Sequence, residues 1–403
     1  GTESPLDCVA FESFADALGD LNISSQKGLG EMFDSSVGAG TVLSPFGGKH
    51  QCTPVDAMVA TLPFLDGQTK ICTHMSWGFN ANIATWSPYH GAAYAVTESV
   101  CRAVASGARL SDIRLTLQEY FPKLGDDSSR WGLPFAALLG AFKAQHELRL
   151  GAIGGKDSMS GTFNDIDVPP TLVSFALAPG DTKHVVSPEF NEVGSLISFI
   201  EVPRDENQLP NFGTLKEIAA TLHGANILAA HTLDHGGIAT GLSKMAFGNG
   251  IGANIQTDIN LHQERFLSFL IESKEEIDGG IVIGRTQIEP TIQVGSETLK
   301  LGELYDAWTS PLAEIYPETE DPSTSEADTF TSTFESKRST TKTKNPKVII
   351  PAFPGTNSEY DSAKAFGEVG AQAEIQVFRN LTPQAVEESL SNLAESIRKS
   401  QIL

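Results

Sequence analysis

The sequence predicts a mixed α/β fold spread over more than one domain, and three observations lead there. Strand-like apolar runs alternate with stretches whose apolar residues recur at helical spacing. Glycine-rich turns punctuate the junctions, the densest being Ile153-Gly-Gly-Lys-Asp-Ser-Met-Ser-Gly161. The chain has 403 residues, 40% hydrophobic and 19% charged, enough for two or three domains with their own cores.

Residues 5–50 mix amphipathic stretches with loops, and Phe46-Gly-Gly-Lys-His-Gln51 is a second glycine-lysine turn. Pro54 to Phe64 is a buried strand or a short helix, between which periodicity does not decide, whereas Ile71 to Trp77 is a strand. Residues 90–105 make a helix: Ala92, Val96, Val100 and Ala103 share one face and Gly107 supplies the stop. Glu98 and Arg102 share another face of it, four residues apart. Arg109 to Tyr120 alternates as a strand, and Leu133 to Glu147 is a helix with Pro134 at its start. A strand enters the glycine-rich stretch, and Thr171 to Ala178 forms the next.

From about Gly180 a second α/β unit begins. Gly194 to Val202 is a strand, Gly213 to Leu222 a helix, and Asn226 to Ala230 a buried strand ending at His231. Gly236 and Gly237 open a helix through Phe247. Strands at Ile255–Ile259 and Gly280–Ile283 flank a helical Leu261–Glu272. Residues 317–346 are rich in Ser, Thr, Lys and Glu, and cannot bury enough surface to offset their ordering entropy. They read as a partly disordered linker. Beyond it, a strand (Lys347–Phe353), a helix (Ser358–Gly367), a strand (Ala373–Phe378) and a helix (Pro383–Arg398) make the β-α-β-α start of a doubly wound domain. Residues 347–403 are too few to close such a sheet, and truncation is the expectation.

Net charge is −22, from 28 Lys and Arg against 50 Asp and Glu, which argues against nucleic acid as a general partner. It leaves room for a small phosphorylated ligand in a local N–H-rich pocket. Cys8, Cys52, Cys72 and Cys101 form no C-x-x-C pair and read as buried free thiols in a reducing cytoplasm. No apolar run approaches the ~18 residues of a membrane helix, so no membrane partner is expected. The glycines of 153–161 let the backbone approach a ligand, and Lys156 offers a point charge suited to phosphate. The G-x-x-x-x-G-K-[ST] spacing of a P-loop is missing.

Five collinear stretches together resemble phosphoribosylformylglycinamidine synthases of the large single-chain form. They are Val96-Thr-Glu98; Gly155-Lys-Asp-Ser-Met-Ser160; His231-Thr-Leu-Asp-His-Gly-Gly237 with Met245-Ala-Phe247 and Gly252; Gly302-Glu-Leu-Tyr-Asp-Ala-Trp308; and Phe353-Pro-Gly-Thr-Asn-Ser-Glu-Tyr-Asp361. The resemblance implies an ATP- and glutamine-dependent ligase of purine biosynthesis, acting on formylglycinamide ribonucleotide. It implies residues 1–180 and 181–316 as the N- and C-terminal subdomains of a second synthase half, of the aminoimidazole ribonucleotide synthetase type. Residues 347–403 would then begin a class I glutaminase domain. The first synthase half and the glutaminase nucleophile are expected elsewhere, so the fragment alone is expected to be inactive, with no catalytic residue assigned within it.

On this resemblance Gly154, Gly155, Lys156, Asp157, Ser158 and Ser160 belong to a catalytic ATP site shared with the other half. An auxiliary nucleotide site would draw metal ligands from Glu98 and Asp56, and other contacts from Asp234, Gly236 and Gly237. Here the chain departs from the family. Arg102 stands where an Asn is expected and Thr232 where an Asp is, while Asp234-His235 replaces a Ser-Asp pair. Mg²⁺ wants six oxygens, so the expectation is that no three-magnesium ADP cluster forms there. His235 is read as a cap for the following helix. His50, His74 and His90 show no ligand spacing and take packing or surface roles. Two alternatives stay open: a non-catalytic half that supports an active partner, and another enzyme of the aminoimidazole ribonucleotide synthetase or selenophosphate synthetase kind. Residues 347–361 speak against the second.

Overall fold

A computed structural model describes residues 4–6, 8–9, 11–33, 40–64, 67–318 and 342–403. Most of the expected 317–346 linker, residues 319–341, lies outside them. The chain divides into two compact units, Gly1–Leu62 with Lys70–Asp321, and Pro63–Thr69 with Pro322–Leu403.

The first unit holds two large sheets. One contains β1 (Thr41–Leu43), β2 (Met58–Thr61), β3 (Ile71–Gly78), β4 (Arg114–Tyr120), β5 (Ala152–Lys156) and β6 (Thr171–Asp181), in the order β1-β2-β3-β6-β4-β5. Its neighbours are antiparallel except β4 and β5, which run parallel. β3 shows why one face is covered: Cys72, His74 and Ser76 are buried, while Ile71, Met75 and Trp77 point to an open face. Helix α1 (Pro88–Ala105) packs on β3 and β6, and α2 (Ser128–Leu148) packs on α1. A Cβ on Gly140 would stand 1.9 Å from the Tyr89 carbonyl oxygen, so glycine sets how closely the first turn of α1 approaches α2.

The second sheet contains β7 (Leu196–Ile200), β8 (Ile227–Thr232), β9 (Gly252–Ile255), β10 (Phe269–Ser273), β11 (Ile281–Gln287), β12 (Thr291–Val294) and β13 (Glu297–Lys300). Their order is β8-β10-β7-β11-β9-β12-β13. Helices α3 (Phe212–Gly224), α4 (Gly237–Phe247) and α5 (Leu301–Thr309) accompany it. α4 is buried along its whole length, and Phe247 stacks on Trp308 of α5 with ring centroids 5.5 Å apart. In the second unit β14 (Lys347–Ala352) and β15 (Gln372–Val377) pair in parallel, with α6 (Glu359–Glu368) between them in sequence and α7 (Pro383–Arg398) after.

Several elements differ from the sequence expectation. Residues 261–268 are not helical and 269–273 is strand β10, buried at every position between β8 and β7. A strand covered on both faces loses the period that would distinguish it from a helix. α2 begins at Ser128, one turn and more before Pro134, because the Asp127 carboxylate caps the helix by accepting from the Ser129 N–H at 2.9 Å. Residues 110–112 form a 3₁₀ turn before β4. β9 ends at Ile255, where the expected strand began. Within Pro54–Phe64 the strand β2 forms, and no helix. Of the cysteines, Cys72 and Cys101 are buried but Cys8 is exposed and Cys52 half-buried. No helix among the described residues is long and apolar enough to cross a membrane.

His74 carries a pH prediction. Its ring is fully buried, with Nδ1 2.9 Å from the Ser106 hydroxyl, and burial pulls its pKa down to about 4 from 6.5. The folded state thus favours the neutral ring, and the associated stability is present above pH ~6.5 and lost as pH falls toward 4. At ~1.4 kcal/mol per unit this is about 3 kcal/mol. Urea titrations at pH 7.5 and pH 4.5 should show the loss, and His74→Gln should flatten it. An unchanged pH profile in the variant would remove His74 as its source.

Candidate functional site

The structure sets the site candidates in two groups. The first is the glycine-rich stretch. β5 is an edge strand, in register with β4 through Leu117–Gly155 and Gln118–Lys156. A Cβ on Gly155 would lie 2.2 Å from the Leu117 carbonyl oxygen, so this pairing requires glycine. Past Lys156 the backbone stays tied to the end of β4. The Ser158 N–H donates to the Glu119 carbonyl at 3.1 Å, and the Ser158 carbonyl accepts from the Phe121 N–H at 2.9 Å. Residues 152–157 are all exposed. The Lys156 ammonium donates locally, to the Asp157 carbonyl at 2.8 Å, and the Ser158 and Ser160 hydroxyls lie 2.8 Å apart. An open cavity of 410 Å³ adjoins the stretch, lined by Thr116, Gln118, Ile153, Gly154, Lys156 and Phe175 among others. Burial, aided by the Asp157 charge, pushes the neighbouring Glu119 carboxyl up. A fixed, outward-facing turn with one cation suits a phosphate chain.

The second group is a buried charge network. Glu98 and Arg102 sit one turn apart on α1, with Nη2 2.6 Å from Oε1. They are only 8% and 9% exposed, so the pair that shares a helix face by its four-residue spacing lies inside the protein. Arg102 Nη2 also lies 3.4 Å from Asp234 Oδ2, and its guanidinium stacks over Trp77 at 4.5 Å. Lys244 of α4 approaches the other oxygen of Asp234 at 3.2 Å. The second Glu98 oxygen accepts from the Phe79 N–H at 3.0 Å. Asp56 is held at the end of β8: His231 Nδ1 donates to Oδ1 at 2.9 Å and the Thr232 N–H donates to Oδ2 at 2.7 Å.

The electrostatics follow from this packing. Burial pushes the Glu98 carboxyl up, against the pull of Arg102. For Arg102, burial opposes the charge, but Glu98, Asp234 and Asp56 outweigh it and raise its pKa. Burial likewise opposes ionisation of Asp234, yet Lys244 and Arg102 hold it well below the usual carboxylate range. Arg102 Nε, His231 Nε2 and Thr232 Oγ1 are buried without a hydrogen-bond partner among the described residues.

His235 does not cap α4 through its side chain. The N-cap position is Gly236, with φ +82°, and its N–H donates to Glu264 Oε2 at 3.1 Å. The His235 ring lies between Asn80, 2.8 Å from Nε2, and Glu264, 3.6 Å from Nδ1. Burial lowers its pKa, but Glu264, Asp234 and Glu98 outweigh burial and raise it.

The residues of this second group do not fit a magnesium cluster. The Asp56 and Glu98 oxygens accept from the chain's own cations and N–H groups. Among the described residues no three His, Cys, Asp or Glu side chains are grouped to hold a metal. Octahedral oxygen coordination has too few open donors here. Sequence reasoning missed Lys244, Glu264, Asn80 and the Trp77 stack. A lysine inside an otherwise apolar helix was the signal for Lys244; Glu264 was hidden by the helix expected at 261–272.

No protein-family model matches the chain. It is similar in sequence to the phosphoribosylformylglycinamidine synthase subunit PurL of Picrophilus torridus, 23% identical over 337 residues, covering 75% of this chain and 45% of that protein. It is also similar to PurL of Helicobacter hepaticus, 24% identical over 286 residues, covering 62% and 35% respectively. For PurL of Thermoplasma volcanium the figures are 22% over 254 residues, 58% and 33%. The chain thus spans between a third and a half of the length of these curated relatives. Among solved structures, PurLQS from Thermotoga maritima superposes with a TM-score of 0.49 at 19% identity, over 64% of this chain and 40% of that one.

Proposed function

We propose that residues 1–316 are the second synthase half of a phosphoribosylformylglycinamidine synthase, with residues 347–403 opening its glutaminase domain, in a cytoplasmic enzyme. The likeness to PurL proteins over up to 75% of the chain carries this reading. The exposed stretch Gly154–Asp157 supports it.

In the proposed reaction the amide oxygen of formylglycinamide ribonucleotide attacks the γ-phosphorus of ATP and ADP leaves. Ammonia, released from glutamine in the glutaminase domain, then adds at the activated carbon. Phosphate departs, a proton is lost to solvent, and the amidine remains. Lys156 and the amides of Gly154 and Gly155 would hold the phosphate chain, and the serine hydroxyls would help to orient it. The other synthase half would complete the pocket and keep water from the activated amide. The network of Glu98, Arg102, Asp234 and Lys244 takes no step in this scheme. We assign it to the auxiliary position, where the chain's own cations stand in place of a three-magnesium ADP cluster.

Phosphate release tests the proposal, with ammonium supplied so that no glutaminase is needed. Given formylglycinamide ribonucleotide, ATP and Mg²⁺, the chain alone is expected to show only background. Combined with a first synthase half, it is expected to release one phosphate per amidine formed. Turnover by the chain alone, or none by the combination, would overturn the assignment. A second reading, a half that only supports an active partner, is favoured by Arg102 and Lys244 sitting on the carboxylates of the network. It predicts that substitutions in the Gly154–Ser160 stretch leave turnover unchanged.

A further inference from the structure

The buried network has the outline of a metal centre whose cations are already in place. Glu98 comes from α1 and Asp234 from the turn after β8, yet both carboxylates aim at one atom. Arg102 Nη2 stands 2.6 Å from Glu98 Oε1 and 3.4 Å from Asp234 Oδ2. The other Asp234 oxygen faces Lys244 Nζ at 3.2 Å, and the other Glu98 oxygen accepts from the Phe79 N–H. Asp56 has both oxygens engaged by His231 and the Thr232 N–H, and Glu264 is held by the Gly236 N–H. Two carboxylates aimed at one buried point repel unless a cation stands between them. A divalent metal ion is one solution, and a guanidinium is another.

We infer that Arg102 and Lys244 are built-in counter-cations that close this position to divalent metal, and that the point occupied by Arg102 Nη2 becomes a divalent-cation site once that side chain is shortened to an oxygen ligand. Charge balance supports this first. Glu98 and Asp234 carry two negative charges and Arg102 and Lys244 two positive ones, so a further dication would leave a buried excess of charge. Second, the occupant is hard to displace. Arg102 is tethered one turn from Glu98, its guanidinium stacks over Trp77 at 4.5 Å, and it stays charged at any physiological pH. An entering ion would have to expel that group and shed its own water. Third, the cations have a structural task. Arg102 on α1 and Lys244 on α4 meet at Asp234, tying the helix that covers the first sheet to one that accompanies the second. Stability of this unit therefore requires no bound metal at the network. This role deepens the assignment of the network to the auxiliary position and rests on it. Phosphate release by the combined synthase halves tests that assignment, whereas counting metal on this chain tests the occupant, so either can fail alone.

Manganese binding to the whole 403-residue chain makes the count, Mn²⁺ standing in for Mg²⁺ as an ion that takes octahedral oxygen coordination. Its paramagnetic resonance signal separates free from bound ion. A chain of net charge −22 holds loose surface ions in every variant, so the readout is the difference between variants at ~0.15 M salt, where exposed charges are screened. The parent chain and Glu98→Gln are expected to bind equal numbers of ions. The parent's melting temperature should move by less than ~1 °C between EDTA and ~5 mM Mn²⁺. Arg102→Asn should melt several degrees lower in EDTA, bind one more ion than the parent, and regain at least half of the lost melting temperature when Mn²⁺ is added. Glu98→Gln with Arg102→Asn takes away one of the two carboxylates and should show neither the extra ion nor the gain. Should Arg102→Asn be unfolded in EDTA, recovery of its circular dichroism on adding Mn²⁺ is the same readout. An Arg102→Asn chain that neither gains an ion nor recovers would overturn the inference. So would an ion bound by the parent chain and lost in Glu98→Gln, since metal would then enter beside the arginine.

Discussion

Replacing Arg102 by alanine is expected to destabilise the first unit by about 3–5 kcal/mol, the range for removing one partner of a buried ion pair. The guanidinium touches both Glu98, at 2.6 Å, and Asp234, at 3.4 Å. Without it Asp234 keeps Lys244, while buried Glu98 is left with the Phe79 N–H. The loss should depend on pH in a defined direction. Burial already raises the Glu98 carboxyl, and Arg102 is the main influence lowering it, so the variant's folded-state pKa rises further above its unfolded value. A carboxyl raised on folding is tolerated when protonated and penalised when ionised. The destabilisation should therefore be smaller at pH 5 and larger at pH 8. Glu98→Gln with Arg102→Met removes both charges and keeps the volume, and should cost much less than Arg102→Ala. Denaturant titrations of Glu98→Gln, Arg102→Met and the double variant give the coupling directly. Equal losses in the single and double variants would show that the pair contributes packing rather than charge compensation.

How much of this was legible in the sequence varied with the physics behind each element. α1 and α7 carry apolar residues at helical spacing, and their extents follow from it to within two residues. β10 could not be read that way, since its burial on both faces erases the pattern. A proline start signal misled at α2: Pro134 looked like a first-turn proline, yet the Asp127 cap seven residues earlier sets the start. In the charge network, the Glu98–Arg102 spacing told that the two could meet. It could not tell that they meet inside, because α1 also packs against β8, more than 120 residues away in sequence. Lys244 and Glu264 were missed for a nearer reason: their partners, Asp234 and the Gly236 N–H, are set by how a strand end and a helix start face each other, and Glu264 stood in a stretch expected to be helical. Local chemistry was readable, while long-range convergence needed the fold.

If the chain is the proposed synthase half, Lys156→Ala is expected to lower the turnover of the full synthase by about 10²–10³-fold, the usual effect of removing one preorganised charge or donor from a polar transition-state site. Folding should be untouched, within ~0.5 kcal/mol, because Lys156 is exposed and its ammonium meets the adjacent Asp157 carbonyl. That separation of effects is what makes the variant informative. On the surface of this chain the ammonium faces water, where a charge–charge contact at ~4 Å is worth about 1 kcal/mol. On the proposed assignment its value grows only when the other synthase half closes over the phosphate chain and excludes solvent. The proposed assignment therefore predicts little change in the weak affinity of the chain alone for ATP, alongside a large fall in kcat of the whole enzyme. Calorimetry on the chain and phosphate release by the reconstituted enzyme measure the two. Lys156→Arg should recover part of the rate, since the charge is kept while the compact donor is lost. Unchanged turnover in Lys156→Ala would move the phosphate site away from this stretch and favour the supporting-half reading, in which Gly155 serves only to let β5 pair with β4.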